Sequence, residues 1–176
     1  PPGAPRRLVV HPGQNSSCVF LFDEPEHDGG SKIEVFSIIC VPSENSSKTT
    51  PVTIYGTESP IVASLQPGCE YQAIARAHNT AGVSNPSSTT TVTTSATVPG
   101  VPRKVEVEAG DSTATITFQP PSLDGGATIQ GYTVLATPGN KMVNQTQSPI
   151  TVTGLDNGTE YMFTVCANNA IGSGPT

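Results

Sequence analysis

The chain is 176 residues long and acidic, with 8 Lys+Arg against 14 Asp+Glu and a net charge of −6. No basic stripe is present, which argues against a nucleic-acid or anionic-membrane partner. No apolar run approaches the ~18 residues of a membrane-spanning helix. Pro and Gly, 17 each, are spread over turns rather than massed as in disordered sequences.

The chain opens on Pro1-Pro2-Gly3-Ala4-Pro5, carries no leader pattern, and reads as the start of an excised fragment. A matching Pro99-Gly100-Val101-Pro102 follows in mid-chain, and both mark a stiff, extended entry. After each entry an alternating segment predicts a first strand, with Leu8 and Val10, or Val105 and Val107, turned inward. Cys18, Phe20 and Phe22 alternate in the next strand, as do Ala114, Ile116 and Phe118. Pro25 and the pair Pro120-Pro121 stop these strands.

Asp28-Gly29-Gly30 and Asp124-Gly125-Gly126 are turns whose glycines supply positive φ. Ile33, Phe36 and Ile38, matched by Ile129, Tyr132 and Val134, then predict a central strand. A Ser/Thr/Asn-rich surface loop, 43–50, is longer in the first copy than in the second. Val52–Tyr55 and Met142–Gln145 are short edge candidates, and Pro60-Ile61-Val62 and Pro149-Ile150-Thr151 begin another strand.

The next stretch is the most closely repeated. Leu65, Gly68, Glu70, Tyr71, Ala77, Asn79 and Gly82 recur as Leu155, Gly158, Glu160, Tyr161, Ala167, Asn169 and Gly172. Alternation after each tyrosine predicts a strand with one face in a core. A tyrosine after a turn at such a strand's start resembles the tyrosine corner of β-sandwiches, so Tyr71 and Tyr161 are read as structural. A last strand is expected over Ser87–Thr94; in the second copy the chain ends where its equivalent should begin, leaving an open edge.

The repeat divides the chain into two domains, 1–97 and 98–176, carrying 5 and 3 Lys/Arg against 8 and 6 Asp/Glu. Short strands, frequent turns and no helical period predict an all-β chain. It is expected to form two seven-stranded immunoglobulin-like β-sandwiches in tandem, the second lacking its last strand.

The Pro-x-x-Pro entry, Pro-x-x-x-Gly-Gly, Leu-x-x-Gly-x-x-Tyr and Ala-x-Asn-x-x-Gly together resemble the fibronectin type III family over nearly the whole chain, twice. One feature departs: the family's strand-B Trp is missing, and Phe22 and Phe118 stand in its place. Leu65, Leu155, Phe22 and Phe118 join the tyrosines as expected structural residues. The resemblance implies that Cys18, Cys40 and Cys69 lie near one pole of the first sandwich. A disulfide among them and three reduced thiols remain alternatives, and Cys166 is expected to be a lone, partly exposed thiol.

Asp23-Glu24-Pro25-Glu26-His27-Asp28 is a loop rather than a metal or acid–base site, because no calcium-loop spacing is present. His11 and His78 read as isolated surface residues. Asn15-Ser16-Ser17, Asn45-Ser46-Ser47, Asn144-Gln145-Thr146 and Asn157-Gly158-Thr159 have the form of N-glycosylation acceptors. No phosphate loop, nucleophile elbow, zinc motif or Arg-Gly-Asp tripeptide occurs.

The expectation is a non-enzymatic pair of modules without a cofactor or metal. They would serve as structural and protein-interaction units, adhesion or receptor type, in a larger extracellular or cell-surface protein. The segment 94–102 would be the linker that sets the angle between them. The alternatives are an accessory, carbohydrate-associated module of a secreted enzyme and an intracellular scaffold module. A protein partner is expected, with self-association through the open edge of the second domain as one route.

Overall fold

The computed structural model describes residues 1–43 and 50–176, so the Asn45 acceptor lies outside the described residues. The chain divides into two compact units, Pro1–Ser95 and Ala96–Thr176. The expected linker is shared between them. Thr94 N donates to Cys69 O and Ser95 O accepts from Gly68 N, within the first unit. Thr97 N donates to Gly125 O and Gly100 N to Leu123 O, within the second.

In the first unit the strands are β1 (Arg6–Pro12), β2 (Ser17–Asp23), β3 (Val35–Pro42), β4 (Val52–Gly56), β5 (Ile61–Ser64), β6 (Glu70–Asn79), a two-residue β7 (Gly82–Val83) and β8 (Thr90–Thr93). One sheet runs β1-β2-β5; the other runs β4-β3-β6-β7, with β8 also on β6. The second unit holds β9 (Arg103–Gly110), β10 (Thr113–Gln119), β11 (Gly131–Thr137), β12 (Lys141–Gln145), β13 (Ile150–Thr153) and β14 (Met162–Asn168). Its sheets run β13-β10-β9 and β12-β11-β14, and every strand pairing in both units is antiparallel. Two facing sheets in each unit make two tandem β-sandwiches.

Each unit has its own core. The first is built on Phe20, Phe36, Ile38, Tyr71, Ala73 and Ala75. The second is built on Ile116, Val134, Ala136, Ile150, Val152 and Ala167. Each large aliphatic so buried contributes about 1.5–3 kcal/mol. The phenylalanines that stand for tryptophan find aromatic partners on the facing sheet. Phe22 meets Phe36 with ring centroids 4.8 Å apart, and Phe118 meets Tyr132 at 4.7 Å. Tilted pairs of this kind add to simple area burial.

The Asp-Gly-Gly turns are built alike. Asp28 Oδ1 accepts from Gly30 N at 2.8 Å, and Asp124 Oδ1 from Gly126 N at 2.9 Å. Gly29 and Gly125 sit at φ +72° and +76°, and a Cβ there would strike the carbonyls of Pro1 and Thr97 respectively. Glycine is required by both conformation and space.

Two expectations need correction. Val105 and Val107, predicted to face inward, are 42% and 49% exposed, whereas Leu8 and Val10 are buried. In the first unit β8 lies against β1; among the described residues of the second unit nothing takes that place. The last strand is also shorter than predicted, Thr90–Thr93. Ahead of it, side chains complete the pairing: Ser84 and Ser87 N–H groups donate to the carbonyls of Ala77 and Ala75, and their hydroxyls accept from the N–H groups of the same two residues, both at 2.9 Å.

Candidate interaction sites

The recurring tyrosines, leucines and asparagines are engaged within their own unit. Tyr71 Oη accepts from Gln66 N at 3.2 Å, and Tyr161 Oη from Asp156 N at 3.1 Å. Both are tyrosine corners. Burial raises the Tyr71 phenol, and the bond from Gln66 opposes that rise. Leu65 and Leu155 are buried, and their N–H groups donate to the carbonyls of Ser16 and Ser112. Sequence reasoning assigned no task to Asn79 and Asn169. Asn79 Nδ2 donates to Asp28 O at 2.6 Å and Ser31 O at 2.8 Å, while its Oδ1 accepts from Ala81 N. Asn169 Nδ2 donates to Thr97 O and Asp124 O, and its Oδ1 accepts from Ile171 N. Each asparagine thus ties the end of one strand to a distant loop. Recurrence at one place in both copies was the only trace of this in the sequence.

The acidic run is equally occupied. Asp23 pairs with Arg7, and Glu26 with Arg6 at 2.8 Å. The His27 carbonyl accepts from Gly3 N. Among the described residues no cluster of three or more His, Cys, Asp or Glu gathers to hold a metal, and no helix is long and apolar enough to cross a membrane. His78 is not isolated as expected: its Nε2 meets Ser37 Oγ at 2.7 Å. The register Val35↔His78 and Ser37↔Arg76 makes them diagonal neighbours.

All four cysteines, Cys18, Cys40, Cys69 and Cys166, are free in the structure. Cys18 and Cys40 are fully buried and behave as small apolar side chains. Burial, with Cys18 adding to it, pushes the Cys40 thiol up to about 12, and burial also raises Cys18. A thiol held protonated this way is a poor nucleophile. Cys166 is half-buried, with Asn168 Oδ1 3.8 Å from its sulfur.

The described acceptor asparagines differ. Asn15 is exposed at φ 52°. Asn144 is exposed on β12, with its Oδ1 accepting from Thr133 Oγ1 at 2.7 Å. The Asn157 carboxamide is engaged at both ends: Oδ1 accepts from Ser112 N, and Nδ2 donates to Asp111 Oδ1 at 2.8 Å.

The second unit carries a groove of about 250 Å³. Val107, Ala109, Leu155, Tyr161 and Phe163 line it, beside the β14 edge that β8 covers on β6 in the first unit. Thr113, Asp156, Asn157 and Thr159 share the lining, and an apolar groove beside an unpaired sheet edge is a geometry that accepts an extended strand.

A family profile for the fibronectin type III domain matches residues 3–93 and 100–176. The chain belongs to the fibronectin type III family. Over 175 residues it is 29% identical to a Kelch domain-containing protein of Saccharolobus solfataricus, covering 98% of this chain and 23% of that protein. It is 28% identical to fibronectin type-III domain-containing protein 3A of Mus musculus, covering 99% of this chain and 15% of the relative. This chain therefore spans under a quarter of the length of either relative. Among solved structures, the FN1–FN3 domains of chicken CNTN1 share its fold, with a TM-score of 0.63 at 24% identity, covering 99% of this chain and 64% of that one. Fibronectin type III domains are in general non-catalytic interaction modules, and they commonly mediate contacts between proteins.

Proposed function

We propose that residues 1–176 are a pair of non-catalytic protein-interaction modules, adhesion or receptor type, within a larger extracellular or cell-surface protein. One observation carries this reading. Three of the polar pairs that recur in both copies, Asp28/Asp124, Tyr71/Tyr161 and Asn79/Asn169, spend their side chains on backbone groups of their own unit, as structural residues do. What distinguishes the units lies on their outer faces and edges, where partners dock. In this reading the β14 edge is a place where an extended strand adds, including one from another copy. Asn15 and Asn144 are the acceptors best placed for glycans.

Proximity labelling from the parent protein, with and without residues 1–176, tests the proposal. A set of protein neighbours lost on deletion is expected; an unchanged set overturns it. Four free thiols favour a second reading, an intracellular scaffold. Alkylation in denaturant without reductant, followed by mass spectrometry, separates the two: a disulfide or an occupied Asn144 supports the extracellular reading, four alkylated cysteines the intracellular one.

A further inference from the structure

The outer face of the β1-β2-β5 sheet differs sharply from its counterpart in the second unit. Register sets Val9 opposite Leu21, and Val19 opposite His11 and Val62. Val9 is 45% exposed, Leu21 39% and Val62 64%, with Val19 half-buried between them. The pairings Val10↔Phe20↔Ile61 and Val107↔Ile116↔Ile150 align the two sheets. On that alignment Glu106, Thr115, Thr117 and Thr151 fill the places of Val9, Val19, Leu21 and Val62. The Thr115 and Thr151 hydroxyls bond one another at 3.3 Å.

The second unit therefore builds the same sheet with a polar outer face, so folding does not demand the first unit's aliphatic one. Scattered surface aliphatics need no explanation, but a block of cross-strand neighbours does. Charge at the margin of this face cancels locally. Arg7 pairs with Asp23 and Arg6 with Glu26 at one end of the strands. Two copies of a chain with net charge −6 meet least repulsion through a face balanced in this way.

We infer that this face is a self-association surface. Two copies stack their β1-β2-β5 sheets across a two-fold axis, each burying Val9, Val19, Leu21 and Val62 against the same residues of the other. A two-fold contact uses one patch twice, and flat sheet faces stack about 10 Å apart. Four aliphatics fall short of the roughly 800 Å² per partner of a standard complex. The dimer is thus weak, and it forms where chains are concentrated. This deepens the interaction-module reading and rests on it.

Sedimentation equilibrium of residues 1–176 from about 10 μM to about 1 mM tests it. The average mass should climb toward twice that of the chain, with NMR line broadening at Val9, Val19, Leu21 and Val62. The variant V9E/V19T/L21T/V62T transplants the second unit's face and should stay monomeric throughout. If that variant unfolds, V62T alone, on an exposed position, should weaken association several-fold. A monomeric wild type overturns the inference, as does broadening confined to β14 or a transplanted variant that associates as before. Binding of a different protein by these residues without self-association also overturns it, while leaving the module reading intact. That reading fails separately, in the deletion experiment on the parent protein.

Discussion

The two units share a fold and a set of internal bonds, yet among the described residues a last strand pairs with β6 in the first and none takes that place on β14 in the second. In the first, β8 pairs with Glu70–Ala73 of β6, buries Val92 and lies against β1. Leu8, Val10 and Tyr71 are buried as a result. In the second, β9 is exposed along all its residues and Tyr161 is only half-buried. The last strand of such a sandwich is thus more than an edge. It covers the first strand and seals the tyrosine corner.

The largest expected effects test whether the cores are separate. Phe20→Ala should cost the first unit about 3–5 kcal/mol and leave the second unit's urea transition unmoved. Ile116→Ala should do the reverse, at about 2–5 kcal/mol. A shared shift in both transitions would break the comparison. A smaller effect concerns the shared clamp. Asn79→Ala and Asn169→Ala should each cost about 1–3 kcal/mol, because two part-buried carbonyls and a backbone N–H lose their partner in either unit.

Supplying a lid should sharpen the contrast. Appending Thr-Thr-Thr-Val-Thr-Thr after Thr176, through a short turn, should protect Val105 and Val107 from hydrogen exchange. The expected gain for the second unit is about 1–2 kcal/mol. Tyr71→Phe should then cost more than Tyr161→Phe, about 1 kcal/mol against less, since Gln66 N is left without a partner in the better-sealed unit. The smallest effect is alkaline. The Cys40 thiol is held near 12 when folded and titrates near 9.0 when free. The folded state keeps the proton, so its stability is full below pH 9 and falls as pH rises toward 12. Cys40→Ala, the residue at the matching place Ala136, should remove that part of the loss in alkaline urea titrations.

Much of the fold was legible because a two-residue period and turn chemistry are local. Phe20 and Phe22, or Ile116 and Phe118, alternate whatever lies beyond them. The exposure of Val105 and Val107 was not legible, since they alternate just as Leu8 and Val10 do. What differs is a strand distant in sequence. Asn79 escaped assignment for a related reason: its acceptors, the carbonyls of Asp28 and Ser31, carry no side-chain signature. His78 was misread because Ser37 becomes its neighbour only once the β3–β6 register is known. The aliphatic outer face was visible as letters, but it gained meaning only when register set it beside its threonine-rich twin.

The two sealed thiols give this chain a built-in reporter. Cys18 and Cys40 have no solvent path in the native fold, and their counterparts in the second unit are Ala114 and Ala136. A maleimide dye should mark the half-exposed Cys69 and Cys166 first and reach the sealed pair only when the first sandwich opens. The slow phase of labelling then counts those openings one by one, under heat, denaturant or tension.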